Sequence, residues 1–476
     1  MQIVTAVDTV TESNSELRMG YLWMIASVAA LGGLLFGYDW VVIGGARPFY
    51  EAYFHLTTAS SIGWANSCAL LGCFAGSLSA GRLSDRLGRK KALLISAFLF
   101  AISSLLTGWA QSFSMFILWR IVGGVAIGLA SNVSPTYIAE ISPASWRGRL
   151  VSLNQLALVT GIVAAQVVNW RIAERVTGAI SAASWNAQFG WRWMFTAVAV
   201  PALLFLVLTP FVPESPRWLT QNDQEEKALR VLTSIGGSLY GISELASIRS
   251  SLGNVAETGA KGKIAALWSR PLRPLLLIGI SLAVLQQWCG INIIFNYAAE
   301  IYRSAGYGIS DVMFDIVITG AVNLVFTLVA MLLVDSLGRR RLMLFGCLGI
   351  AASHLLASLA YRAGWQGFWV LVLTLSAIAF YAVSLAPVTW VLITELFPNS
   401  VRASGVSISV AALWISSFAL TYTFPFLSQA FGESRIFLLY GGVCMAGLVF
   451  VYFCVPETKG RSLEQIEVSE LSLPKV

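Results

Sequence analysis

Charge is scarce in this chain. Only 12% of its 476 residues are Asp, Glu, Lys or Arg, against about 25% in a soluble domain, which argues against a protein dissolved in water. Histidine is scarcer still. His55 and His354 stand alone, and two isolated histidines make neither a metal site nor a catalytic triad. The six cysteines (68, 73, 289, 347, 444 and 454) have no metal or disulfide-framework spacing. All sit in apolar runs, where free Cys behaves as a small packing residue. There is no GxxxxGK[ST], no HExxH and no GxSxG. The first absence excludes a nucleotide-driven pump, and the others argue against a hydrolase. The first 18 residues are polar and of mixed charge, without the cationic start, short apolar core and cleavage site of a signal peptide. The sequence implies no cofactor and no metal.

Hydrophobic residues make up 57% of the chain. They fall into runs of about twenty, the length of a membrane-crossing helix and too long for a barrel strand. The runs are 19–44, 59–81, 91–109, 114–137, 149–171, 191–212, 273–298, 311–334, 341–362, 367–394, 402–428 and 433–455. The predicted fold is therefore an all-α membrane protein with twelve transmembrane helices. The expected divisions are a tail over 1–18, a six-helix bundle over 19–212, a linker over 213–272, a second bundle over 273–455, and a tail over 456–476. Segments such as DQEEKALRVL predict short amphipathic helices in the linker.

The net charge of +7 reads as a topology signal, not a nucleic-acid surface. Arg82, Arg86, Arg89, Lys90 and Lys91 follow the second run. Arg147 and Arg149 follow the fourth, Arg339, Arg340 and Arg341 the eighth, and Arg402 the tenth. Arg47, Arg171, Arg175, Arg303, Arg362 and Arg435 are scattered over the alternate connections. By the positive-inside rule the richer set faces the cytoplasm, which places both termini there, in a cell (inner) membrane.

Internal repeats organise the chain. Asp85-Arg-Leu-Gly-Arg-Lys-Lys91 returns 250 residues later as Asp335-Ser-Leu-Gly-Arg-Arg-Arg341. Glu140 precedes Arg147 by seven residues, and Glu395 precedes Arg402 by the same seven. Pro213-Glu-Ser closes the first half and Pro456-Glu-Thr the second. Six runs lie on each side of the linker, so the two copies have the same orientation.

GRLSDRLGRKK at 81–91, the two E-x6-R pairs, PESPRWL at 213–219, LQQWCGIN at 285–292 and PETKGRSLEQIE at 456–467 together resemble the sugar porter family of the major facilitator superfamily. The resemblance runs from Gly32 to Glu467. Its members include bacterial sugar–proton symporters for xylose, arabinose and galactose, and animal glucose facilitators. The resemblance implies two six-helix bundles around a central cavity that opens alternately to each side. It implies import of a monosaccharide by proton symport, with sugar and protons as partners in a lipid bilayer and no need for more than a monomer. An uncoupled sugar or polyol facilitator and a sugar-sensing homologue are the competing readings.

Asp39, in LLFGYDWVV inside the first run, is costly in lipid unless paired or functional. Counting residues from the predicted ends of the first and fourth helices puts Asp39 and Arg120 at one depth. Such a pair can take up a proton and release the arginine. Proton-coupled members of the family resemble this chain in having Asp here. The alternative is a static ion pair that fixes packing.

For the sugar, the resemblance points to Gln155, Gln286, Gln287, Asn292 and Asn323, with the aromatic faces of Phe36, Trp390 and Trp414. Amides both donate and accept, as sugar hydroxyls do, though Asn and Gln also serve as glue between membrane helices. The chain departs from the family at three places. Asn296 stands where relatives have Tyr, Leu413 where they have Gln or Asn, and Ala386 where they have Gly. Asn296 joins the candidate set, and the substrate cannot be copied over. Gly290 is placed to let its helix bend, and Pro387 to break its own. The paired charges Asp85 with Arg89, Glu140 with Arg147, Asp335 with Arg339 and Glu395 with Arg402 resemble the family's cytoplasmic gate, whose charges bridge the halves when the inner side is closed. Solvated topology charges are the alternative.

Overall fold

The computed structural model describes residues 17–176, 180–253, 267–270, 272–306, 308–365, 367–398 and 401–457. Most of both tails, part of the linker, the side chain of Asp335 and the last motif beyond 457 lie outside the described residues.

Ten described helices are long and apolar enough to cross a bilayer. They include α1 (Met19–Tyr53), α3 (Arg89–Gly108), α4 (Phe113–Ile141), α5 (Arg147–Ile172), α6 (Asn186–Phe211), α7 (Arg273–Asn296), α9 (Arg339–Arg362) and α10 (Phe368–Glu395). The helix α8 spans Ile309–Leu337. The long segment Arg402–Cys454 is two helices that meet at Gly432, whose φ of 73° is non-helical. They are α11 (402–431) and α12 (433–454). The remaining helix, α2 (Ala59–Leu87), is less apolar but 29 residues long. Among the described residues, twelve helices long enough to span are therefore present, six on each side of the linker.

The exterior is apolar. Leu332, Phe453, Phe211 and Val200 are each more than 70% exposed. In water such a surface would drive aggregation, and in a bilayer it is the wall that lipid wets. Inside, small residues let helices approach closely. A Cβ on Gly72 would strike the backbone of α4 at Ile121, and one on Gly124 would strike that of α2 at Ala69, the small-residue packing expected in membranes.

One helix outruns its sequence expectation, and two break where Gly290 and Pro387 were expected to allow it. The helix α1 continues nine residues past Gly44, because its polar end is paired: Arg47 Nε lies 2.5 Å from Glu51 Oε1. The helix α7 breaks after Trp288, at Gly290 with φ 86°. Its second part, Ile291–Asn296, is followed by Ala298–Ser304. The helix α10 breaks at Ser384, between Phe368–Val383 and Leu385–Glu395. That is three residues before Pro387, whose ring crowds the carbonyl four residues back and whose nitrogen cannot donate.

The linker forms Pro216–Gln221 and Glu225–Gly253, the latter kinked at Gly236 and Gly237. Leu219, Ala228, Leu232 and Leu245 give it a small core of its own.

The repeated motifs build the same corner twice. Gly88 and Gly338 take φ of 95° and 90° just before α3 and α9. The carboxylate of Glu214 then accepts from the backbone amides of Arg89 at 2.8 Å and Lys90 at 3.1 Å. Glu457 accepts from Arg339 at 3.0 Å and Arg340 at 3.2 Å. Each half thus ends on a carboxylate that caps its own third helix, at the end where the helix dipole favours an anion.

Candidate functional site: a central polar layer between two gates

Contacts between the halves gather at one end of the molecule, here termed the Arg47 end. Arg47, in α1, reaches Glu300 beyond α7 at 2.8 Å. Its guanidinium lies 4.3 Å from the centre of the Tyr297 ring. Ser428 of α11 donates to the same Glu300 at 3.1 Å. Ser60 meets Tyr422 at 3.2 Å, and the rings of Trp64 and Phe418 lie 6.0 Å apart. Between α5 and α8, Gln166 donates to Thr319 at 3.3 Å. The deepest of these contacts is Phe36 against Trp414, with ring centres 5.8 Å apart.

At the opposite end the charge pairs seen among the described residues lie within each half. Arg89 contacts Asp85 at 3.1 Å and donates to Glu140 at 3.0 Å. Glu140 also accepts from Ser215 at 2.5 Å. In the second half Arg339 reaches Glu395 at 3.3 Å. The expected pairing of Glu140 with Arg147 is not formed. Arg147 donates instead to the carbonyl of Ala139 at 3.2 Å, and Arg402 likewise to Phe397 at 3.1 Å. The physical reason is reach: Arg89 brings its guanidinium to Glu140 from a buried position, whereas the turn at 142–146 leaves Arg147 over the end of α4, bonded to the Ala139 carbonyl. The Asp335 side chain, expected against Arg339, lies outside the described residues.

Asp39 and Arg120 lie between these ends, 4% and 3% exposed. Arg120 Nη1 donates to Asp39 Oδ1 at 3.0 Å and, more weakly, to the Asp39 backbone carbonyl at 3.5 Å. The guanidinium carbon is 5.3 Å from the Phe195 ring centre. Among the described residues, Asp39 Oδ2 and Arg120 Nε have no hydrogen-bond partner. A Cβ on Gly123 would stand 3.4 Å from Oδ2, so the glycine leaves that oxygen room. A buried carboxylate held through one oxygen keeps the other as a proton acceptor.

The amides of α7 form a chain. Asn292 donates to Gln287 across the break, and Gln287 donates to Gln286 at 3.3 Å. Gln286 donates onward to the carbonyls of Leu385 and Ala386, each at 3.2 Å, beside the break in α10. Gln286 is therefore spent partly as glue between α7 and α10. Asn296 Oδ1 and Trp414 Nε1 are buried with no partner among the described residues, one an acceptor and one a donor. Asn323 is buried in α8, while Phe36, Gln155 and Trp390 are half-buried.

Several residues of this layer escaped the sequence reading. Gln166 and Asn169 of α5 are each 1% exposed. Their side-chain oxygens have no partner among the described residues, while Asn169 Nδ2 donates to the Val42 carbonyl at 2.9 Å. Gln166 follows Gln155 by eleven residues, three helical turns, so the two share a face. That spacing was the available signal. Asp315, 6% exposed, was legible as an acidic residue in an apolar run. It shares a face with Thr319 and Asn323 at steps of four. Arg47 and Glu300 carried no signal, being 253 residues apart.

The Sugar (and other) transporter family matches residues 25–469. The chain belongs to that family. It is a family of transporters and not of enzymes, and the chain is an integral membrane protein of the major facilitator fold. The D-xylose-proton symporter of Escherichia coli is 35% identical over 485 residues, covering 95% of this chain and 96% of that protein. The arabinose-proton symporter of Bacillus subtilis is 37% identical, covering 96% of each. The inward-open conformation of the E. coli xylose transporter XylE superimposes with a TM-score of 0.82 at 35% identity, covering 94% of this chain and 99% of that one. Sugar transporters of this family thus share the arrangement of helices over nearly the whole length.

Proposed function

We propose that this protein imports a monosaccharide together with a proton, as a monomer in the cell membrane with both termini cytoplasmic. The observation that carries the coupling is the Asp39–Arg120 pair, in which the carboxylate is held through one oxygen and the other is spare. Protonating Asp39 removes the charge that holds Arg120 and changes the relative stability of the two packings of the halves. The names of the relatives, which are proton symporters of xylose and arabinose, support the same reading. In this orientation the Arg47 end is the outer gate, closed here, and the state is inward-facing.

The substrate is a neutral, hydroxyl-rich ring. Unpartnered donors and acceptors on Trp414, Asn296, Gln166 and Asn169 suit hydroxyls, which do both. Ring faces at Phe36 and Trp414 suit the C–H faces of a sugar. With Asn296 and Leu413 departing from the family, the set of hydroxyls read is this chain's own. Adding the right sugar to de-energised vesicles or cells makes the medium alkaline as protons enter with it. A panel of pentoses, hexoses and inositol identifies the substrate, and no alkalinisation with any of them refutes symport.

A further inference from the structure

The break in α7 frees a carbonyl in the middle of the membrane. In an unbroken helix the amide of Ile293 would donate to Cys289 O. Here it donates to Gly290 O at 3.1 Å, because Gly290 has turned into the left-handed region. An unsatisfied carbonyl is costly in lipid. His354 of α9 takes it up, with Nε2 2.8 Å from Cys289 O. Cys444 Sγ of α12 adds a weak contact at 3.8 Å. A carbonyl only accepts, so Nε2 carries the proton.

The imidazole is 1% exposed. The Phe437 and Tyr440 rings lie 5.5 and 6.2 Å from it. The Tyr440 ring also stands where a Cβ on Gly290 would go. Gln286 and Gln287 lie just before this hinge and Asn292 just after it. The bond from Asn292 to Gln287 spans it.

We propose that His354 is a positioning residue for sugar binding. Its ring Nε2–H donates to the carbonyl freed at the hinge and so sets the spacing between the amides before and after the break. The inference rests on the sugar-import reading for its transport consequence, but the hinge contact itself does not.

The test compares His354→Gln, which keeps an N–H donor at similar reach, with His354→Leu and His354→Met, which fill the space without one. The full-length proteins are reconstituted, and uptake of the sugar that gives the largest alkalinisation is measured. Loss of the donor should raise KM about tenfold, the scale of one buried hydrogen bond, with a much smaller change in kcat. The Gln variant should return to within about threefold of the parent. Hydrogen exchange over 290–297, measured without sugar, should quicken in the Leu and Met variants and not in the Gln variant. A purely packing role demands the opposite order, with Leu or Met matching the parent and Gln worst. That order, or parental behaviour in all variants, overturns the proposal. If the parent moves no sugar the functional reading falls, and the exchange measurement alone judges the hinge. The apolar pair covers the case in which one of them fails to fold.

Discussion

Replacing Glu300 by Gln should open the Arg47 end. The bridge from Arg47 Nη2 to Glu300 Oε2 is 2.8 Å long and joins the two halves directly. At that distance the Coulomb attraction is about 6 kcal/mol at an effective dielectric of about 20. Most of it does not appear as net stability. Arg47 was desolvated, and Glu300 partly so, to form the bridge, and Arg47 keeps Glu51 at 2.5 Å when Glu300 is lost. About 1.5–2 kcal/mol remains, which corresponds to a shift of about ten- to thirtyfold toward the state in which the halves part at this end. The assay is the distance between spin labels on Thr57, in the exposed loop between α1 and α2, and on Phe431, exposed at the end of α11. They lie on opposite halves at the same end. The exposed Cys454 is first replaced by Ser so that it takes no label. The Glu300→Gln variant should gain a longer-distance population. In a double-mutant cycle, Glu300→Gln should cost much less once Arg47→Gln is present. An unchanged or narrower distance distribution, or strict additivity in the cycle, would refute the latch.

The Asp39→Asn variant should lose uphill accumulation while keeping sugar exchange down a gradient within about threefold of the parent; accumulation that survives removes Asp39 from the coupling. Gly290→Ala meets both the φ of 86° and the Tyr440 ring, so its thermal stability in detergent should fall by about 1–3 kcal/mol, with KM raised. Glu214→Ala leaves the first amides of α3 uncapped, and thermal unfolding should register a loss of about 0.5–2 kcal/mol, partly restored by Asp at that position.

What was legible in the sequence follows from what bilayers demand. Length and apolarity alone define a spanning helix, so the twelve helices were readable. Asp39 and Arg120 were readable because charge in an apolar run is rare and depth can be counted along a helix. Breaks were readable at Gly290 and near Pro387, since those residues remove a steric or hydrogen-bonding constraint. The rest was not. Nothing in the chain says that Arg89, and not Arg147, would take Glu140, because that choice depends on how a turn aims a side chain. Arg47 looked like one of several scattered basic residues, and its burial against Tyr297 and Glu300 exists only once the halves meet. His354 looked idle, because the carbonyl it serves is created by a break in another helix.

The carboxylates of Glu214 and Glu457 have a consequence for biosynthesis. Each caps amides that precede it by more than 100 residues and stands at the very close of its half. While the chain is being made, the first turn of α3 waits uncapped until the sixth helix has been threaded. The first half can therefore complete itself before any part of the second exists. The same holds for α9 and Glu457 when the second half emerges. The bridge from Arg47 to Glu300, by contrast, cannot form until both have been inserted. The order of assembly is thus written into which end of the molecule each carboxylate serves, with finished halves first and the gate between them last.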